Sequence, residues 1–211
     1  KGDVKKILQN IIELFRSIAE PPRKSIQGIW AEVFLIALSQ KPEIMLEAWH
    51  GRPRDLHDFN LDNESIEVKS TSISLRQHHF SLAQIRPSND LKVIVASIFV
   101  TIDQSGITIE ELCEMIKRRI DDHPILQLKL ESSITKVLGN SWRNAARERF
   151  SLVQAQRSLA YFDAYRLPSI EPSMIPPNIY DVHFKIDLDT MPTIDIRKYQ
   201  EGSKLFAALL P

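Results

Sequence analysis

Asp58-Phe59-Asn60-Leu61-Asp62-Asn63-Glu64-Ser65-Ile66-Glu67-Val68-Lys69 is the stretch that decides how this chain reads. It forms two short strands joined at Asp62-Asn63, a dipeptide suited to a tight turn. A two-residue loop there pairs Leu61 with Glu64, Phe59 with Ile66 and Asp58 with Glu67. Successive side chains on a strand point to opposite faces. Phe59, Ile66 and Val68 therefore face a core, while Asp58, Glu67 and Lys69 share the other face. Two carboxylates directly opposite across a strand pair lie about 4.5–5.5 Å apart and repel. A divalent cation between them removes that conflict, and a lysine two residues on completes a metal-plus-ammonium site suited to a phosphate ester. The plain alternative for Glu67-Val68-Lys69 is a salt-bridged, exposed hairpin face.

Composition sets the frame around this hairpin. The 211 residues are 43% hydrophobic and 26% charged, which is ordinary for a globular chain and enough for one substantial domain or one domain plus an appendage. The 27 basic and 27 acidic residues cancel, so any nucleic-acid surface must be a local patch rather than a strongly basic domain. A single cysteine, Cys113, excludes a disulfide within the chain and suits a reducing compartment, the cytoplasm. No apolar run approaches the ~20 residues of a membrane-spanning helix, and no signal peptide is visible. The chain opens on Lys1 without a methionine, and missing N-terminal sequence is expected.

Val4, Ile7, Leu8, Ile11, Ile12 and Phe15 follow the period of an amphipathic helix that ends at Pro21-Pro22. Ser25 is placed to cap a second helix running to about Gln40. That helix is apolar almost all round, which predicts burial, and Glu32 is the only charge in its run Ile29–Leu38. A buried carboxylate needs a partner, a metal or a proton. Glu32 reads equally well as a site residue or as a helix-face carboxylate paired with an arginine. Leu46–His50 reads as a strand, followed by the loop from Gly51 to His57. Ser81–Ile85 reads as a short helix, and Val93–Ile102 as a buried strand. Thr108 starts a helix whose core face is Ile109, Leu112, Cys113, Ile116 and Ile120, and another helix over 125–138 ends at Gly139. Residues 142–150 read as helical and arginine-rich. Leu152–Leu167 and Ile179–Leu188 read as strands on either side of a proline-rich link.

At Asp58…Glu67-Val68-Lys69 the chain resembles the PD-(D/E)XK nuclease superfamily: an acidic residue, a short gap, then Glu/Asp-x-Lys on the next strand, with a glutamate on a preceding helix, here Glu32. More narrowly it is similar to a bacterial family known only as "PD-(D/E)XK motif protein", found near methyltransferase and helicase genes of phage-defence islands. Gly28-Ile29-Trp30-Ala31-Glu32, His57-Asp58-Phe59, Ile66–Thr71, Phe80–Ile85, Tyr180–Phe184 and Ile186-Asp187-Leu188 carry the likeness over most of residues 25–190. His57 stands where the superfamily has its proline.

The resemblance implies an α/β restriction-endonuclease-like core, a central mixed sheet flanked by helices, over 1–140. A C-terminal α+β extension over 141–211 packs on it. It implies divalent-metal-dependent hydrolysis of DNA, with Mg²⁺ or Mn²⁺ held by Asp58, Glu67 and the backbone carbonyl of Val68, and with Glu32 bound directly or through water. Lys69 orients the attacking water or stabilises the transition state. Gln84 matches a position where related nucleases place a glutamine near the site or the DNA; as plain structure it is a polar residue on a surface helix. The implied partners are DNA and the helicase or methyltransferase subunits of a defence system. Two rival classes are a non-catalytic DNA-binding or assembly subunit and a nuclease-like fold used for protein contact alone. None of the histidines forms a zinc spacing with Cys113. His57 flanks the site, Cys113 reads as core, and Arg143, Arg147, Arg149 and Arg157 form either a phosphate-contacting cluster or a solvated face.

Overall fold

The computed structural model describes residues 25–50, 55–86, 90–145 and 147–209. The amphipathic helix expected over Val4–Phe15 and loop residues 51–54 lie outside them. Ser25 caps helix α1 (Ile26–Leu38), its side chain accepting from the Gly28 amide at 3.1 Å. Ile29 to Ala37 are all buried, Glu32 among them, as a helix without a polar face requires. Helix α2 (Pro42–Ala48) follows at once. The strand expected over Leu46–His50 is therefore corrected: Pro42 occupies the first helical turn, where its missing N–H costs nothing, and Glu43, Met45 and Leu46 favour helix.

The hairpin forms as its alternation requires. Strands β1 (Phe59–Leu61) and β2 (Glu64–Thr71) are antiparallel, with Leu61 opposite Glu64 and Phe59 opposite Ile66. Asp62 takes the left-handed φ of 53° that the turn demands. After β3 (Gln77–Ser81), the short helix α3 (Leu82–Ile85) starts at a capping box between Ser81 and Gln84. Strand β4 (Lys92–Phe99) then runs parallel to β2. Its apolar residues divide between two cores. Ile94, Ala96 and Ile98 join Ile66 and α1 on one face, while Val93 and Val95 join Phe80, Ile85 and Phe162 on the other. Burial on both faces explains the unbroken apolar run.

Strand β5 (Ile102–Ile107) leads to helix α4 (Ile109–Arg119), capped by Thr108 and Glu111. Helix α5 (Pro124–Leu138) ends at Gly139, whose φ of 52° suits a residue without a Cβ. Helix α6 covers only Trp142–Ala145 of the longer stretch expected to 150. The strand expected over Leu152–Leu167 is also corrected. Leu152–Ser158 is helix α7, held in place by Ser158 Oγ accepting from the Phe99 amide, and only Ala160–Asp163 is strand, β6. Strand β7 is His183–Asp187, shorter than the expected Ile179–Leu188.

The main sheet has the order β1-β2-β4-β6, with β6 antiparallel to β4, and a second sheet pairs β3 with β7. This is a mixed α/β fold, its four-stranded mixed sheet flanked by helices. The edge strand β6 comes from beyond residue 140, and Leu205, Phe206 and Leu209 enter the α1-side core. The Glu64 carboxylate accepts from the Leu205 amide at 2.9 Å, which fastens this C-terminal segment to the hairpin. Among the described residues, no helix is long and apolar enough to cross a membrane.

Candidate active site

Strand β1 ends three residues from the turn, whereas β2 continues for eight. The length mismatch leaves the far half of β2, Glu67 to Thr71, without a β1 partner. A cleft of about 410 Å³ opens there. Ser25, Gly28 and Glu32 line it from one side of α1, and Glu67, Val68 and Lys69 line it from β2. His50, His57, Asp58 and Gln84 complete it. Glu32, Asp58, Glu67, Val68, Lys69 and Gln84, the residues singled out in the sequence, thus lie in one place.

Asp58 sits just before β1, and its Oδ2 accepts the Val68 amide at 2.8 Å. In a strand the N–H and C=O of one residue point to the same side. The Val68 carbonyl is therefore directed to the Asp58 side as well. Glu67, 4% exposed, has its Oε1 2.8 Å from Lys69 Nζ and accepts from Gln84 Nε2 at 2.7 Å. The repulsion expected between Asp58 and Glu67 is thus offset by separate donors, a backbone amide for one and an ammonium and an amide for the other.

Lys69 shares the face of Glu67 rather than pointing into the α1-side core. Its Nζ also lies 4.8 Å from the centroid of the Phe80 ring, where the negative face of the ring favours a cation. Gln84 uses both ends of its amide: Oε1 accepts from the Ser81 amide in the capping box, and Nε2 donates to Glu67. His57 is buried, with Nε2 3.0 Å from the Gln84 carbonyl. That oxygen can only accept, so Nε2 carries the proton. Burial lowers the pKa of this imidazole, consistent with a neutral ring.

Glu32 reaches the site from the interior. The buried indole of Trp49 donates to its Oε2 at 2.8 Å, and His50 Nε2 lies 2.8 Å from the same oxygen. Nothing in its spacing marks the neighbouring His50 as a site residue. Tertiary pairing brings it in: its amide donates to the Asp58 carbonyl at 3.0 Å, and Trp49 bridges to Phe59. Ligand atoms of Glu32, His50 and Asp58 all lie within 4.8 Å of one another. Ligands at about 2.0–2.6 Å span roughly 4–5 Å across a divalent cation, so this donor set has the size of a metal site. Glu67 is not part of that trio. The basic residues Arg149 and Arg157 lie elsewhere, Arg149 paired with Glu111 at 2.9 Å and Arg157 away from this cleft. Cys113 packs against the α1-side core, and burial pushes its thiol up to about 12, which suits a core residue and not a nucleophile.

Residues 2–189 match a family model described as "Putative PD-(D/E)XK family member, (DUF4420)". No curated protein and no solved structure matches the chain.

Proposed function

The chain belongs to that PD-(D/E)XK-type family, and from this premise we propose that it is a divalent-metal-dependent endonuclease hydrolysing the phosphodiester bonds of DNA. The observation that carries the reading is the convergence of Glu32, Asp58, Glu67, Lys69 and Gln84 on one cleft at the uncovered edge of β2. Asp58 would hold Mg²⁺ or Mn²⁺, with Glu32 on one side of it and Glu67 and the Val68 carbonyl on the other. When bound, such a cation supplies Lewis-acid charge to the scissile phosphate and lowers the pKa of a coordinated water. Magnesium keeps several waters and takes few carboxylates, so this acid count is adequate.

The protein's own groups have distinct tasks. Lys69, on the cleft wall, holds the attacking water or offsets the charge that grows on the phosphoryl oxygens. The water oxygen forms the new bond to phosphorus as the bond to the leaving sugar oxygen breaks. Gln84 fixes the Glu67 carboxylate, and neutral His57 fixes Gln84 through its backbone carbonyl.

Zero net charge favours action beside a partner that supplies DNA contacts. We place the protein in a bacterial restriction or phage-defence system, in the cytoplasm, with a helicase or methyltransferase subunit. The same neutral charge favours a second reading, a non-catalytic DNA-binding or assembly subunit with the nuclease fold. Plasmid DNA incubated with the protein and Mg²⁺ or Mn²⁺, with and without such a partner, separates the two. The nuclease reading expects nicked or linear product that chelator abolishes. DNA binding without any cutting in every arm supports the second reading.

A further inference from the structure

The geometry points to His50 as a metal ligand with Glu32 and Asp58, giving this centre a preference for a first-row transition ion over magnesium. The inference deepens the nuclease reading and rests on it for the cation's task. It adds a nitrogen donor that the acidic motif does not contain.

Three observations carry it. The Nε2 atom of His50 is buried and makes no hydrogen bond, although it lies 2.8 Å from Glu32 Oε2. The contact has the distance of an ion pair without being a hydrogen bond. The ligand atoms of His50, Glu32 and Asp58 converge within 4.8 Å, and a cation bound among them supplies the partner that Nε2 lacks. Buried polar nitrogens otherwise find one.

Second, the imidazole is held where it is. His50 has a φ of 43°, a left-handed conformation uncommon for a residue with a side chain. The hydrogen bond that the His50 amide donates to the Asp58 carbonyl and the Trp49–Phe59 bridge hold that conformation, and the ring lies 5.0 Å from the indole of Trp49. Strain of this kind persists only where surrounding structure over-determines it. Third, the same dipeptide orients another ligand, because Trp49 Nε1 donates to Glu32. Outer partners that fix a ligating carboxylate are a regular part of metal sites.

The donor chemistry sets the selectivity. Magnesium is bound through oxygen and dehydrates reluctantly. Imidazole nitrogen suits transition ions, whose affinity for mixed nitrogen and oxygen sites rises along the first row from Mn²⁺. Glu32, His50 and Asp58 make one nitrogen and two carboxylate donors.

The test loads the full chain with Mn²⁺ and records pulsed electron paramagnetic resonance, which reads nitrogen nuclei bonded to the ion, together with Mn²⁺ and Mg²⁺ affinities by calorimetry. Wild type is expected to show ¹⁴N coupling. His50→Gln is expected to lose the coupling and to lower the preference for Mn²⁺ over Mg²⁺ by about tenfold or more, since even outer-sphere partners are worth about 10–100-fold in affinity. His57→Gln, at the second histidine of the cleft, is expected to keep the coupling and covers the case where His50→Gln does not fold. Mn²⁺ bound without ¹⁴N coupling overturns the His50 assignment and leaves the metal-dependent reading standing. Coupling that survives His50→Gln or disappears in His57→Gln overturns it too. Absence of Mn²⁺ binding removes both.

Discussion

The indole Nε1 of Trp49 donates to the Glu32 carboxylate at 2.8 Å, from one buried residue to another. The contact ties the interior of α1 to the residue just past α2 and sets where the acid can point. Trp49→Phe keeps most of the apolar bulk and deletes the donor. Removing a donor from a buried charged acceptor costs about 1–3 kcal/mol. Urea denaturation should show a fall of that size, with the slope of the transition unchanged.

The hairpin and its acidic face were legible in the sequence because alternation and a two-residue turn fix register locally. The caps at Ser25, Ser81 and Thr108 were legible for the same reason: each is a contact within three residues. What was lost depends on distant parts of the chain. Leu46 reads as strand because short apolar runs fit either state, and Pro42 decides for helix. Leu152–Ser158 is helix where its apolar residues suggested strand. His50 enters the site only through its pairing with Asp58, eight residues on, and no spacing rule announces that.

Acid should weaken the fold through His78. This buried imidazole lies 2.8 Å from Ser97 Oγ, and its pKa is lowered to about 4 by burial, then by Lys69 and Arg76, with Asp189 opposing. Above about pH 6.5 the ring is neutral both folded and unfolded, and its full contribution is present. As pH falls from 6.5 towards 4, the unfolded chain takes up a proton that the folded chain refuses, so stability is lost across that window. The loss is on the order of 3 kcal/mol. His78→Gln should flatten that part of the pH profile of the urea midpoint, and an unchanged profile would contradict the assignment.

Arg76 fastens β4 to the end of α7. Its guanidinium donates to the carbonyl and hydroxyl of Ser97 on β4, each at 2.9 Å, and to the Ser158 carbonyl at the end of α7, while lying 4.4 Å from the centroid of Phe99. Arg76→Ala should destabilise by about 3 kcal/mol, since buried bonds from a charged donor are among the costlier to lose. Arg76→Lys should recover little, because one ammonium cannot reproduce the planar fork. Thermal denaturation of both variants checks this.

Metal binding should stabilise the protein through Asp58. An ion that binds only the folded state, at about 100 times its dissociation constant, adds roughly 2.7 kcal/mol. For a chain of this length that is a rise in Tm of about 5–10 °C. Wild type should show the rise with Mn²⁺, and Asp58→Ala should not. An equal rise in both would place the ion elsewhere.

Lys69 gives the most direct measurement. Its side chain lines the cleft rather than the α1-side core, and in Lys69→Ala Glu67 keeps the Gln84 amide as a donor. Wild type and Lys69→Ala, at matched melting temperature, are incubated with plasmid DNA and Mg²⁺ or Mn²⁺ in parallel, and initial cleavage rates are compared. Wild type is expected to cut and Lys69→Ala to cut about 10²–10³-fold more slowly, the usual cost of losing one preorganised donor to the transition state. Equal cutting by the two proteins would contradict this expectation.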